Sequence, residues 1–370
     1  MGTGLAGSTL TMVLMVSPAQ AGDTYQPADL GTLPGGQFSD AMMVTNHGEA
    51  FGAALDSAGH ERAVRWDPAG RITDLPPLPR FSSVRPVMMS ETGIAIGVSR
   101  PDVLSGTATR WGRDGKPVEL PGTAEYPSTE AVAVSDRGVV AGFAYKPGSG
   151  EAIARRWDPR GGVTELGRGR VRAMNAGGAV IGWSADQPLY WDPAGKAIPV
   201  QVPPGGTRAA LSAIDDRGTV VGWTEAADGN LHAAKWDDKG RITVLETGWK
   251  YSSASAITDG GEVIGEVGAG DGKTRVARWD ARGKLTVLPT LGGARSRFTA
   301  ANGAGTVLGL ADSADRLDRP VYWDREGRIF ELPPLVPGAF MDPRGISERG
   351  WIAGGSDIPG QGFHAVLWRR

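Results

Sequence analysis

The run Ala154–Leu166 reads A-R-R-W-D-P-R-G-G-V-T-E-L: a short segment ending on Trp157, a turn at Asp158-Pro159-Arg160-Gly161, and a second segment ending on Leu166. The phrase recurs along the chain, with its tryptophan at Trp66, Trp111, Trp157, Trp191, Trp236, Trp279, Trp323 and Trp368. Successive tryptophans stand 45, 46, 34, 45, 43, 44 and 45 residues apart. Self-similarity at a period of about 44 residues points to a ring of repeated β-units.

Working outward from Trp157, one unit divides into four short strands. Strand a is expected over Ala131–Val134, strand b over Val139–Phe143, strand c over Ile153–Trp157 and strand d over Val163–Leu166. Ser135-Asp136-Arg137-Gly138 and Asp158-Pro159-Arg160-Gly161 supply the turns: Asp or Ser hydrogen-bonds its own backbone, Pro presets φ, and Gly takes positive φ. Asp67-Pro68-Ala69-Gly70, Asp192-Pro193-Ala194-Gly195 and Asp237-Asp238-Lys239-Gly240 repeat the second turn. Glycine also recurs in strand b, at Gly97, Gly142, Gly182, Gly222, Gly265 and Gly309, where a missing side chain suits a bulge or close backbone approach. No stretch carries a sustained helical period with caps.

Four strands in about 44 residues make a β-propeller blade, and eight such units predict an all-β, eight-bladed propeller. The alternative is seven blades with one irregular insertion; the 34-residue fourth interval reads as trimmed loops. Trp368 is followed only by Arg369 and Arg370, so the last unit lacks its strand d, whereas Ala28–Leu33 resembles a strand d that precedes any tryptophan. The N-terminal strand is therefore expected to complete the last blade and remove the exposed sheet edges.

Composition sets bounds on function. Gly 56 and Pro 26 are high for 370 residues, but the glycines fall at fixed repeat positions, which favours a turn-rich β-protein over disorder. The net charge of −2 and the lack of a basic run give no support for nucleic acid or an anionic membrane surface. Zero cysteine excludes disulfides, thiol catalysis and thiolate metal sites. His47, His60, His232 and His364 fall in different units without a metal-ligand spacing, and no Asp-x-Asp-x-Asp-Gly loop occurs, so no metal or cofactor is expected. Gly35-Gly36, Gly205-Gly206 and Gly292-Gly293 precede strand a and read as turns rather than phosphate cradles.

The apolar, uncharged Leu5–Val16, followed by Ala19-Gln20-Ala21, fits a cleaved export signal over residues 1–21, with the mature chain starting at Gly22. No Lys or Arg precedes the apolar run, which departs from the usual basic start of such signals. The expected location is extracellular.

Two stretches resemble the HAF-type extracellular repeat family. One is Asp29-Leu30-Gly31-Thr32-Leu33-Pro34-Gly35-Gly36, continuing through Ser39 and Asn46 to Gly48; the other is His364-Ala365-Val366-Leu367-Trp368, one residue away from the family's His-Ala-Phe. Most other units carry Ala-x-Arg-Trp or a similar phrase at that place, the pattern of a diverged member. The resemblance implies secretion and a propeller-like repeat, and brings no catalytic residues with it. The Trp-Asp pair is also similar to WD40 repeats, but their Gly-His dipeptide is absent.

The eight tryptophans read as packing between blades, since each unit needs one and aromatic burial is large. Positions at which the units differ are more informative. Eight residues before the first turn glycine stand Asp40, Arg85, Glu130, Arg170, Ala210, Ser253, Arg297 and Asp342; two positions later stand Met42, Val87, Val132, Arg172, Ser212, Ser255, Thr299 and Arg344. Because strand a is innermost, these residues are expected around the channel mouth, with Phe38, Phe81, Tyr126, Trp249, Tyr251 and Phe340 on the approaches.

Two readings compete here: the charges pair and close the channel, or they converge with the aromatics on a ligand. In the second, Arg85, Arg170, Arg172, Arg297 and Arg344 favour an anionic or carbonyl-bearing ligand. The expected function is thus a monomeric binding or scaffold module for a small anionic molecule, glycan, peptide or protein partner. The alternative is a cofactor-free lyase, isomerase/cyclase or hydrolase, with Glu130, Asp40 or Asp342 as general acid or base and Tyr126 as proton donor.

Overall fold

The computed structural model describes residues 25–101, 105–185, 187–245, 248–315 and 317–370. The segment expected to be an export signal, residues 1–21, lies outside them. Among the described residues every regular element is a strand. The strands form eight separate four-stranded antiparallel sheets arranged as a ring, an eight-bladed β-propeller, which sets aside the seven-bladed alternative.

Blade 3, the prototype, consists of strands a to d at Ser128–Val134, Val140–Tyr145, Ala152–Trp157 and Val163–Arg168. Blade 4 consists of Arg170–Met174, Val180–Ser184, Gln187–Trp191 and Ala197–Pro199. Strands a of consecutive blades contact one another and therefore surround the axis. In blade 8 the order is Gln26–Asp29, Gly362–Arg369, Ile352–Ile358 and Met341–Ile346, so the N-terminal strand does supply the missing outer strand. It runs antiparallel with Gln26 opposite Arg369 and Asp29 opposite Val366, and the Leu30 amide extends the ladder to the Ala365 carbonyl at 2.9 Å. His364 Nδ1 lies 3.1 Å from both Asp29 carboxylate oxygens, and the Tyr25 hydroxyl donates to the Gly350 carbonyl at 2.5 Å. Burial pushes the Tyr25 phenol up to about 12, so it remains a donor.

The core is built from eight clusters, each holding one repeat tryptophan at a blade interface. Trp157, for example, packs with Val140 and Ala131 of its own blade against Ile96, Ala108 and Leu120 of the one before. Removing roughly 200 Å² of indole from water stabilises each interface by about 5 kcal/mol. Trp66, Trp111, Trp157, Trp191, Trp236, Trp323 and Trp368 also donate Nε1–H to a carbonyl in or just beyond the preceding strand d, at 2.8 to 3.1 Å. That bond satisfies the buried indole and fixes its tilt.

Every strand a carries a register shift that leaves one extra residue: Met42, Val87, Val132, Arg172, Ser212, Ser255, Thr299 or Arg344. The strand-b glycine is the reason the bulge fits. A Cβ on Gly182 would stand 1.9 Å from the Arg170 carbonyl oxygen, and one on Gly142 would stand 2.0 Å from that of Glu130. Gly52 and Gly354 occupy the same place in blades 1 and 8. Gly292 and Gly293 belong to the start of a long strand a, Gly292–Ala301, rather than to a turn ahead of it.

Candidate functional site: the channel mouth at blades 3 and 4

The eight bulges set the geometry of the mouth, since each strand a presents one residue just before the bulge and one on it. Most of these charged residues are paired. Arg85 forms an ion pair with Glu130 of the next blade. Arg344 reaches Asp342 at 2.8 Å and Asp40 at 3.2 Å, tying blade 8 to blade 1. Arg297 pairs with Asp318, and the neighbouring Arg295 with Asp312 at 3.0 Å. Burial, opposed by Arg85, raises the Glu130 carboxyl above its ordinary range; burial likewise raises Asp40 against the pull of Arg344. Over these blades, pairing is what the charges do.

Blade 4 differs. Arg168, Arg170 and Arg172 stand at alternate positions, running from the end of strand d of blade 3, through Gly169, to the bulge of blade 4. Arg170 rests over the Phe143 ring at 4.8 Å and near Tyr145 at 5.9 Å, with its guanidinium 3.5 Å from the Gly150 carbonyl. Among the described residues none of the three has a carboxylate within ion-pair distance. Arg170 is within electrostatic reach of Glu130 without forming an ion pair with it, and is held in place by the aromatic faces, an arrangement worth about 0.5–1 kcal/mol at an exposed site.

The trimmed repeat explains the opening beside them. Gly169, at φ 143°, is the whole connection between strand d of blade 3 and strand a of blade 4. In blade 4 strand b ends at Ser184 and strand c begins at Gln187. Where other blades raise loops, blade 4 leaves a cleft of about 390 Å³ lined by Tyr126, Glu151, Arg168, Arg170, Trp183 and Ala185, among others. Ala185, at φ 48°, is the one non-glycine residue with positive φ among the described residues. Backbone strain of this kind tends to collect at functional positions.

Sequence reasoning missed the aromatic side of this site. The residue after each strand-b glycine lies opposite the ring residue on strand a, and in blades 3 to 5 it is Phe143 beside Glu130, Trp183 beside Arg170, and Trp223 beside Ala210. Gly-Phe or Gly-Trp in three successive strands b was the available signal. Trp183 keeps 40% of its surface exposed, unlike the eight packing tryptophans.

The aromatics chosen from the approaches scatter. Tyr126 reaches the cleft, its phenol raised by burial, and its acidic neighbours are Glu125 and Glu151 rather than Glu130, Asp40 or Asp342. Phe38 stacks on Phe363 at 5.7 Å, and the largely exposed Phe340 tilts over the same ring at 6.4 Å, on the blade 8 side. Phe81 lies under Arg80, Trp249 packs into the core between blades 5 and 6, and the Tyr251 hydroxyl donates to Ser253. Among the described residues no group of three or more His, Asp or Glu side chains is placed to hold a metal ion.

Neither a family model nor a curated protein sequence matches this chain. Solved structures do. A prolyl endopeptidase is 11% identical over 86% of this chain and 54% of its own, with a TM-score of 0.57. The β-propeller domain of the trilobed protease from Pyrococcus furiosus, described as having an open velcro topology, is 11% identical over 78% of this chain and 96% of its own, with a TM-score of 0.50. A streptogramin B lyase is 13% identical over 93% and 97%, with a TM-score of 0.48. The chain spans little more than half the length of the endopeptidase and of a puromycin hydrolase, of which it covers 58%. At such identities the likeness concerns the propeller fold alone.

Proposed function

We propose that this propeller is a ligand-binding module that holds a small anionic molecule at the channel mouth, on the side of blades 3 and 4. One observation carries the reading: among the described residues Arg85, Arg297 and Arg344 are paired with carboxylates, whereas Arg168, Arg170 and Arg172 make no ion pair. Arg168 and Arg170 line the cleft, and Arg170 is backed by aromatic rings, which suits it to bind a carboxylate or similar anion. The acid–base alternative has less support, because Glu130 is engaged by Arg85 and Tyr126 stands away from the candidate carboxylates.

The test is a thermal-shift and calorimetric screen of the chain from Gly22 onward against small carboxylates, sulfated sugars and acidic peptides. A ligand at a hundred times its Kd stabilises the folded state by about 2.7 kcal/mol. The shift should vanish in Arg170→Ala and weaken in Arg172→Ala, yet persist in Arg297→Ala, whose guanidinium belongs to Asp318. Absence of any shift, or equal loss in all three variants, would refute the assignment.

A further inference from the structure

We infer that the ligand of the blade 3–4 cleft is an acidic saccharide, a sugar carrying a hexuronate-type carboxylate, with Trp183 as its stacking platform. This rests on the anion-binding reading above and narrows it. The cleft combines three features that few other anions would use together. Arg168 and Arg170 line the cleft, and Arg170, held over the Phe143 ring, offers a fork of donors for one carboxylate. Trp183 lies opposite Arg170 in the strand register and exposes 40% of its surface, a flat apolar face next to the charge. Glu151 lines the same cleft with Tyr126, placing a carboxylate and a phenol where hydroxyl groups of a bound molecule would lie.

The mixed charge decides among ligand classes. A phosphate dianion would gain from Arg168 and Arg170 but would meet Glu151, and the chain's net charge of −2 gives polyphosphates no long-range attraction. A hexuronate carries one negative charge per ring, spaced a ring apart from the next, with hydroxyl donors for Glu151 and an apolar C–H face for the indole. The cleft, at about 390 Å³, falls in the range that encloses a small organic molecule, so one or two rings would sit inside and any further units would leave over the trimmed rim of blade 4. Arg170 needs little reordering to bind, because Phe143, Tyr145 and the Gly150 carbonyl already hold it.

The experiment is isothermal titration of the chain from Gly22 onward with digalacturonate and trigalacturonate, beside neutral cellobiose, triglycine and inorganic phosphate. Wild type, Arg170→Ala, Arg170→Lys and Trp183→Ala are compared, each first checked for an unchanged melting curve. The expected result is binding of the galacturonates only, weakened at least tenfold by Arg170→Ala and about fivefold by Trp183→Ala. Arg170→Lys should recover only part of the affinity, because a point charge lacks the fork. If phosphate or triglycine binds with the same Arg170 dependence while Trp183→Ala has no effect, the saccharide assignment fails and the anion site stands. Should no anion bind wild type, both fail.

Discussion

The strand-b glycine makes the sharpest prediction. On β-propensity alone, Gly142→Ala in a strand interior should stabilise the protein by about 0.5–1 kcal/mol. The bulge predicts the opposite sign. A Cβ at Gly142 would lie 2.0 Å from the Glu130 carbonyl oxygen and 3.1 Å from the Trp157 ring. Ordinary contact begins more than an ångström farther out, and the obstacle is backbone, so no rotamer change relieves it. Strand a must move away from strand b, which loosens the bulge hydrogen bonds and tilts Glu130 off Arg85. Overpacking costs about 1–3 kcal/mol, and each displaced hydrogen bond about 1 kcal/mol, so the expected loss is about 3–4 kcal/mol. Gly148→Ala is the control. Its φ of 79° is left-handed, unlike that of Gly142, but a Cβ there would meet nothing within 4 Å, and the cost should be about 1 kcal/mol. Urea denaturation followed by tryptophan fluorescence measures both. The reasoning is refuted if Gly142→Ala unfolds at or above the wild-type midpoint, or loses no more than Gly148→Ala.

Three further outcomes follow from the same geometry. Burial raises the Glu130 carboxyl above its ordinary 4.5, so the folded chain holds that proton more tightly than the unfolded one. The site's contribution is therefore largest in acid and falls as pH rises from the unfolded pKa through the folded one; relative to Glu130→Gln, wild type should lose stability as the pH is raised above 4.5, as read by urea midpoints. Removing Tyr25–Asp29 should expose the ladder edge of Gly362–Arg369, lower the melting temperature and give concentration-dependent association on size exclusion, because an unpaired strand edge recruits partners. Ala185→Gly relieves the φ of 48° and should raise stability by about 1 kcal/mol while weakening any ligand that depends on a rigid rim, as seen by denaturation and titration of the same variant.

Most of the fold was legible along the chain because its causes are local and repeat. Each blade needs one large aromatic at its interface, and six of the c–d turns carry Asp-x-x-Gly, so both recur at intervals that can be counted. The same logic located the strand that closes blade 8, since Trp368 has no strand d after it and Leu30 has no tryptophan before it. Alignment on the turn glycine picks out equivalent positions, and the second of them is the bulge residue in every strand a.

What the spacing could not supply was which charges meet. Arg85 and Arg170 occupy equivalent positions in their repeats, yet one is bound to a carboxylate and the other lies on two aromatic rings. That difference depends on the residue that the neighbouring blade presents, a contact across the ring that no single repeat encodes. The same holds for Trp183. In sequence it is one more tryptophan after a glycine; it becomes an exposed surface because a 34-residue interval removes the loops that would cover it. Repetition fixes the ring through short-range rules of turn and burial, whereas the site arises where one repeat breaks them and its neighbours leave the gap unfilled.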